Sequence, residues 1–334
     1  MSELATRPLG RTGLSVTRLG VGLAAVGRPG YITLGRAADL PADRTPDALY
    51  ARTAEVLDAA RAAGIRYVDV ARSYGRAEEF LARWLRERAV PERALVVGTK
   101  WGYAYTAGWR VDAAVHEQKE LSPARFETQL RESRAILGDR IDLHQIHSAT
   151  AESGCLEDAR LLAALVAGRR RGDYRAVGLT LSGATSARAL DRALGARADG
   201  ERVFDVVQGT FNVLEPSLAP GLRAAHDAGM GVIAKEVFAN GRLTDANDRP
   251  EDAGMVAGVR AAAPGVPLDR IAVAFVLAHP FVDVALSGAA TAPQLRSHVA
   301  AVSEGLGADT LARLAAFAET PDAYWASRSR LPWS

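Results

Sequence analysis

A (β/α)8 TIM barrel with an N-terminal β-hairpin and extra C-terminal helices is the fold class that the sequence predicts, and three observations carry it. Short apolar strands rich in valine, such as 94–98 and 203–208, suit a parallel sheet covered on both faces. About eight of them alternate with helical segments, with no interdomain linker, internal repeat or low-complexity stretch to break the series. A chain of 334 residues is long enough to hold such a barrel as a single domain, residues 1–334.

Residues 7–16 alternate polar and apolar side chains around glycine-containing turns and predict a small hairpin ahead of the barrel. A first strand begins at 19–23. Beyond a Gly- and Pro-rich loop, 27–35, apolar residues recur at helical spacing over 47–63 and stop at Gly64. Strand 65–70, helix 78–88 and strand 94–98 follow, and then a long aromatic and polar loop, 101–120. Ser122 and Pro123 take the N-cap and first-turn positions of a helix that ends at Gly138. The series continues with strand 141–146, helix 156–168, strand 176–179, helix 185–194 and strand 203–208. Helix 217–228, strand 231–235, helix 268–278 and strand 282–286 complete it. Further helices begin at Thr291 and Thr310, and the tail AYWASRSRLPWS is expected to pack on the body.

Composition narrows the function. Net charge is +2, from 41 Lys and Arg against 39 Asp and Glu, which is no footprint for nucleic acid or an anionic membrane. One cysteine, Cys155, excludes an internal disulfide framework and fits a reducing compartment. The opening MSELATRPLGRTG lacks the apolar core of a signal peptide, and no window nears the roughly 18 uninterrupted apolar residues of a membrane span. A cytoplasmic globular protein is expected, with its oligomeric state left open. Lysine occurs only at 100, 119 and 235, every other basic residue being arginine. A lysine at a strand end is therefore conspicuous, since lysine, unlike arginine, loses its proton readily when buried.

In a barrel of this kind, reactive groups collect at the carboxyl ends of the strands. Those ends carry Asp69 after IRYV, Lys100 after VVGT and His147 after LHQI, with Tyr74 five residues beyond Asp69. Each alone has an ordinary explanation: a capping aspartate, a solvated lysine, a hydrogen-bonded rim histidine, a packed tyrosine. Their agreement in position points to one site.

These residues and their surroundings resemble the aldo-keto reductase superfamily, as a divergent bacterial-type member. The likeness runs through RPLGRTGLSVTRLGVG, GIRYVDVARSYGRAEEFLARWL, VVGTKWG, IDLHQIH, FDVVQGTFNVLEP, IAVAFVLAHP and SGAATAPQL, nearly the whole chain. It implies a barrel that reduces carbonyls with NAD(P)H, and a catalytic tetrad of Asp69, Tyr74, Lys100 and His147. The chemistry suits those residue types. Hydride attack builds negative charge on the carbonyl oxygen, which must be protonated as the C–H bond forms. Tyrosine is a weak acid at neutral pH, and a neighbouring lysine cation, held by Asp69, would lower its pKa. His147 would steer the carbonyl oxygen towards Tyr74, and the nicotinamide supplies the hydride.

The resemblance also implies cofactor contacts. Those after the fifth strand fall on Thr180 and Leu181, where Thr180 keeps one hydrogen bond and Leu181 cannot replace an amide. Gln208 matches a carboxamide-binding glutamine. Lys235 stands where an aromatic ring usually stacks on nicotinamide. Val237, Phe238, Asn240, Gly241 and Arg242 match a loop over the pyrophosphate, and Gly22 lies at the first strand end. In SGAATAPQLRSH the contacts are Ser287, Gly288, Ala289, Thr291, Gln294 and His298; Gly288, Gln294 and His298 replace a lysine, an arginine and an asparagine. NADP(H) is the expected preference, with NAD(H) possible and Arg296 close by. The substrate is a small carbonyl or alcohol in a pocket formed by loops 24–35 and 101–120 and the tail. Leu23, Tyr31, Trp101 and Tyr103 are its candidate lining, and Trp101, Tyr103, Tyr105 and Trp109 suggest an apolar aromatic wall. Three functions fit: a carbonyl reductase or alcohol dehydrogenase with Tyr74 as proton donor, a cofactor-holding redox sensor with little turnover, and a Schiff-base lyase using Lys100 or Lys235.

Overall fold

The structure, a computed structural model, describes residues 4–334; the first three positions of the expected 1–334 span lie outside the described residues. Eight parallel strands close into a barrel in chain order. They are β1 (Leu19–Gly22), β2 (Tyr67–Asp69), β3 (Val96–Trp101), β4 (Leu143–Ala149), β5 (Ala176–Leu181), β6 (Val206–Thr210), β7 (Gly231–Lys235) and β8 (Val284–Ser287). The helices packed outside them are α1 (Pro46–Ala62), α2 (Ala77–Glu87), α3 (Pro123–Leu137), α4 (Ala159–Arg171), α5 (Ser186–Gly195) and α6 (Ala219–Asp227). Two helices, α7 (Ala253–Ala262) and α8 (Leu268–Leu277), follow β7. After β8 come α9 (Ala292–Ala300), α10 (Ala308–Ala315) and α11 (Pro321–Ser329). No helix among the described residues is long and apolar enough to cross a membrane.

Local chemistry explains several boundaries. Thr45, Ser122 and Asp158 each accept a backbone N–H at the start of a helix, and proline occupies the first turn of α1 and α3. Register then levels the rim: Gly22 pairs with Asp69, Asp69 with Gly98, Lys100 with Gln145, Thr180 with Gln208, and Thr210 with Lys235.

The amino-terminal mouth is closed. A hairpin of Thr6–Pro8 against Ser15–Thr17 drives Leu9, Leu14 and Val16 into the lower lumen, where they meet Tyr67, Val96, Leu143, Val206, Ile233 and Val284. Tyr67 spans that lumen because β1 and β3 offer glycine there. A Cβ on Gly20 would lie 2.8 Å from the Tyr67 ring, and one on Gly98 would lie 2.3 Å from its hydroxyl.

The predicted series holds, with instructive differences. β3 runs to Trp101 and β4 to Ala149, past the predicted ends at 98 and 146, because the polar rim residues do not read as apolar strand. β4 is bulged between Ile146 and Ala149, with Ser148 at φ 57°. The loop after β3 contains a second hairpin, Tyr103–Tyr105 against Glu117–Lys119. Helix α7 was unforeseen, since AGMVAGVRAA has little apolar contrast, and the tail forms α11.

Candidate active site

Asp69 ends β2 and Lys100 lies near the end of β3; both are almost wholly buried. Lys100 Nζ touches Asp69 Oδ1 and donates to the Val70 carbonyl at 2.9 Å. Asp69 Oδ2 accepts from Tyr67 Oη and Gln208 Nε2, each at 2.9 Å, and from Gln145 Nε2 at 3.3 Å. The carboxylate of the buried pair is thus hydrogen-bonded at both oxygens, a condition under which such a pair is tolerated. Tyr74 stands beside it, with Lys100 Nζ 4.6 Å from the centre of its ring. Tyr74 Oη is 3.5 Å from His147 Nε2, and His147 Nδ1 is 3.5 Å from Ser73 Oγ. Tyr103 packs edge-on against the imidazole, with ring centres 4.9 Å apart.

Burial, reinforced by Asp69, holds the Tyr74 phenol well above its ordinary value, and Arg28 opposes that shift. The net shift is upward, whereas a lysine neighbour alone would lower it. Lys100 is in contact with Asp69, whose charge raises the phenol, and the cation that most opposes the rise is Arg28. Burial, with the cations Lys100, Arg28, Lys235 and Lys119, holds His147 well below its usual range, so the imidazole is neutral at pH 7.

A cleft of about 290 Å³ opens above these groups. Of the sequence-derived candidates, Gly22, Thr180, Gln208, Lys235, Val237, Phe238, Asn240, Gly241, Ser287 and Gly288 border it. Tyr31 and Tyr103 do so as well. A second groove, about 350 Å³, adjoins it through Ala25, Thr33, Phe238, Gly241 and Gly288, and takes in Ala289, Gln294 and His298.

Other candidates are elsewhere. Trp101 is fully buried against Phe126, 5.2 Å between ring centres, and Leu23 is buried outside the cleft lining. Leu181 is likewise buried. Arg242 is locked to Asp252 and Glu319 by four hydrogen bonds, and its side chain has no reach left for a phosphate. Thr291 caps α9. Gln208 turns its amide nitrogen to Asp69, and Gln294 spends its amide on Ala290 N–H and Asp39. Thr180 Oγ1 accepts from Ser148 N–H at 2.7 Å.

Lys235 borders the cleft, donates to Thr210 Oγ1 at 2.9 Å and lies 3.9 Å from Glu236 Oε1. Burial pushes it down to about 8, against the pull of Glu236. Burial would raise Glu236, but Arg328 and Lys235 bring it down to about 2. Arg328, from α11, grips that carboxylate at 2.6 and 2.7 Å.

The wall expected to be aromatic and apolar is mixed: Tyr31, Tyr74, Tyr103, Phe238 and Trp333 border the cleft together with charged groups. Trp109 donates its indole N–H to Arg44 O and packs on Phe80. The groups that border the cleft include Arg28, Glu117, Ser148, Glu236, Arg328 and Trp333. Arg28 donates to Ser73 O at 3.1 Å and Glu117 Oε1 at 2.8 Å, and its guanidinium lies 5.2 Å from the ring centres of Tyr31, Tyr74 and Trp333. Nothing periodic marks Arg28 in the sequence; its signal was only membership of the 24–35 loop.

Residues 34–319 match the family model described as the Aldo/keto reductase family. The chain belongs to the aldo/keto reductase family. Within it, the chain is 30% identical to a D-threo-aldose 1-dehydrogenase of Pseudomonas sp over 254 residues, 71% of this chain and 70% of that protein. It is 26% identical to an L-galactose dehydrogenase of Arabidopsis thaliana over 339 residues, 96% of each. In fold it is similar to an aldo-keto reductase from Bacillus halodurans in its holo form, with a TM-score of 0.74, 20% identity, and coverage of 95% of this chain and 97% of that one. This aldo/keto reductase is an NAD(P)-dependent oxidoreductase acting on small molecules.

The residues present fit a nicotinamide dinucleotide. The two joined grooves make an elongated trough, and the loop after β7 turns sharply beneath it, with positive φ at Glu236, Ala239, Asn240 and Gly241. Such conformations concentrate at binding sites. Gly241, at φ 91°, also lets the loop pass under Leu34, whose carbonyl would be 2.9 Å from an added Cβ. Asn240 Oδ1 is buried without a hydrogen-bond partner, an acceptor left for a donor that the chain does not supply.

Proposed function

We propose that this aldo/keto reductase moves a hydride between a nicotinamide cofactor and the carbonyl or alcohol carbon of a small hydroxylated substrate, residues 1–334 acting as one catalytic domain. The observation that carries the reading is the convergence of Tyr74 Oη and His147 Nε2, 3.5 Å apart, at the floor of the cleft above the buried Lys100–Asp69 pair. When bound, the nicotinamide supplies the hydride. Tyr74 gives its proton to the carbonyl oxygen as negative charge develops there. His147, neutral, accepts a hydrogen bond from the Ser73 hydroxyl at Nδ1, and its Nε2–H orients the same oxygen. Lys100 and Asp69 fix the level of the tyrosine ring as a positioning pair. Thr180, Gln208 and Lys235 border the nicotinamide end, and Val237, Phe238, Asn240 and Gly241 the pyrophosphate.

Two things support a hydroxylated substrate. The relatives named above act, by name, on an aldose and on galactose. The cleft mouth pairs a donor, Arg28, with an acceptor, Glu117, beside Tyr31 and Tyr103. Schiff-base chemistry is the second reading, because Lys235 borders the cleft with its pKa near 8; borohydride trapping of a carbonyl substrate on Lys235 is its test.

Tyr74→Phe keeps the ring and removes the proton. Turnover should fall about 10²–10⁴-fold while cofactor affinity, read by fluorescence titration, stays within a factor of about two. Near-normal turnover in that variant would remove Tyr74 from the reaction.

A further inference from the structure

We infer that the far groove of this cofactor site selects NAD(H) over NADP(H), with Asp39 and Asp269 as the groups that favour a bare ribose and oppose a 2′-phosphate. The inference rests on the reading that the two adjoining grooves hold a nicotinamide dinucleotide.

Beyond Phe238 and Gly288, the groove is bordered by three carboxylates, Asp39, Asp245 and Asp269. Among the described residues the basic side chains that border it are Arg36 and His298, and Arg270, which reaches the lining Ser297 Oγ at 3.3 Å, is paired with Glu304 at 3.6 Å. Arg36 is buried, and all three of its nitrogens are spent on backbone carbonyls: Nε on Ala25 at 2.6 Å, Nη1 on Pro29 at 2.9 Å and on Ser334, Nη2 on Arg28. His298 bonds Ser287 Oγ at 2.8 Å through Nδ1, turns Nε2 towards Asp269 at 3.7 Å, and stacks on Phe238 with ring centres 4.3 Å apart. Burial pushes it down to about 4, against the pull of Asp269, so it is uncharged at pH 7. Arg260 is bound to Asp245 at 2.5 Å, and neither it nor the exposed Arg296 borders either groove.

A phosphate on the ribose brings close to two negative charges into this acidic trough with no free cation to receive them. A ribose hydroxyl is the opposite case, since it donates to a carboxylate. Gln294 Nε2 holds Asp39 Oδ2 at 2.8 Å, and among the described residues Asp39 Oδ1 has no partner and is left to accept. The NADP(H) preference expected from sequence therefore gives way, at this site, to NAD(H).

The test is equilibrium titration of the full-length protein with NADH and NADPH, followed by nicotinamide fluorescence and by calorimetry. NADH should bind at least about tenfold more tightly at low salt, and the gap should narrow as salt rises, because screening weakens repulsion of the phosphate. Asp39→Asn combined with Asp269→Asn should narrow it severalfold at low salt, chiefly through tighter NADPH. Equal affinities, or tighter NADPH, in the unaltered protein would overturn the inference while leaving the dinucleotide reading intact. A gap that ignores both salt and the two substitutions would overturn the role of the carboxylates. Binding of neither cofactor would strike the parent reading itself.

Discussion

Lys100, buried beside Tyr74, and Lys235, at the border of the cleft, have different surroundings. The first is closed off by Asp69, whereas Lys235 shares Glu236 with the closer Arg328 and keeps much of its charge. An oxidised nicotinamide is positively charged and its reduced form is neutral. Below about pH 8, charged Lys235 should therefore favour the reduced cofactor; as pH rises through that value, the ratio of oxidised to reduced Kd should fall. Lys235→Met should give a smaller ratio with no such pH dependence, and equal binding of both forms in both proteins would sink the argument. Tyr74 gives a second prediction. With its phenol held high, it stays protonated through neutral pH, so reduction should be nearly flat there while oxidation, which needs the phenolate, climbs in alkali. Arg28→Met removes the cation that opposes that shift, so the phenolate is destabilised and the oxidation limb should move to higher pH. A limb that stays put in pH–rate profiles would take Arg28 out of the proton chemistry. At this scale the sequence exposes Asp69, Tyr74, Lys100 and His147, because their spacing from strand ends is itself the signal. It conceals Arg28, whose partners lie 45 and 89 residues away, and it shows Glu236 only as a neighbour of Lys235, since its partner Arg328 lies 92 residues on.

Helix α11 shows how an element gains a role through one contact. Arg328 reaches from it to Glu236, and the Tyr324 hydroxyl contacts Glu236 Oε2 at 3.4 Å and accepts from Asn212 Nδ2 at 3.1 Å. Glu236 sits at φ 53° and borders the cleft, so the turn at the end of β7 is held by the tail. Removing Arg328 with Arg328→Met leaves a buried carboxylate short of its main partner, a loss of about 3–5 kcal/mol by denaturant melts. Because the Glu236 carboxyl is depressed from 4.5 to about 2, its stabilisation is fully present above pH 4.5 and fades as pH falls towards 2. The stability difference between the protein and Arg328→Met should shrink over that window; a constant difference would mean that the arginine acts by packing alone. Strands were readable because burial on both faces demands continuous apolar runs. The tail and the loop after β3 were not, because Trp101 and Trp333 have the same sequence character and opposite fates: one fills the wall behind the barrel, the other stacks on His116 at the cleft.

For the whole molecule, the decisive asymmetry is between a sealed floor and an open rim. Leu14 is 1% exposed in the plug, so Leu14→Ala should cost about 2–5 kcal/mol of stability while leaving kcat of the folded enzyme unchanged. A parallel fall in kcat would mean that the floor and the rim are mechanically linked. The barrel itself was legible as a count of alternating units; the sealing was not, since a three-residue strand such as Ser15–Thr17 says nothing about which end it covers. At the rim, Tyr31 and Ser334 exchange backbone hydrogen bonds at 3.0 and 3.2 Å, drawing the tail across the loop after β1. With the amino-terminal mouth plugged, the chamber is reached from the rim, where this strap narrows the way in, so the comings and goings of the reaction's partners are a matter of the tail as much as of the barrel.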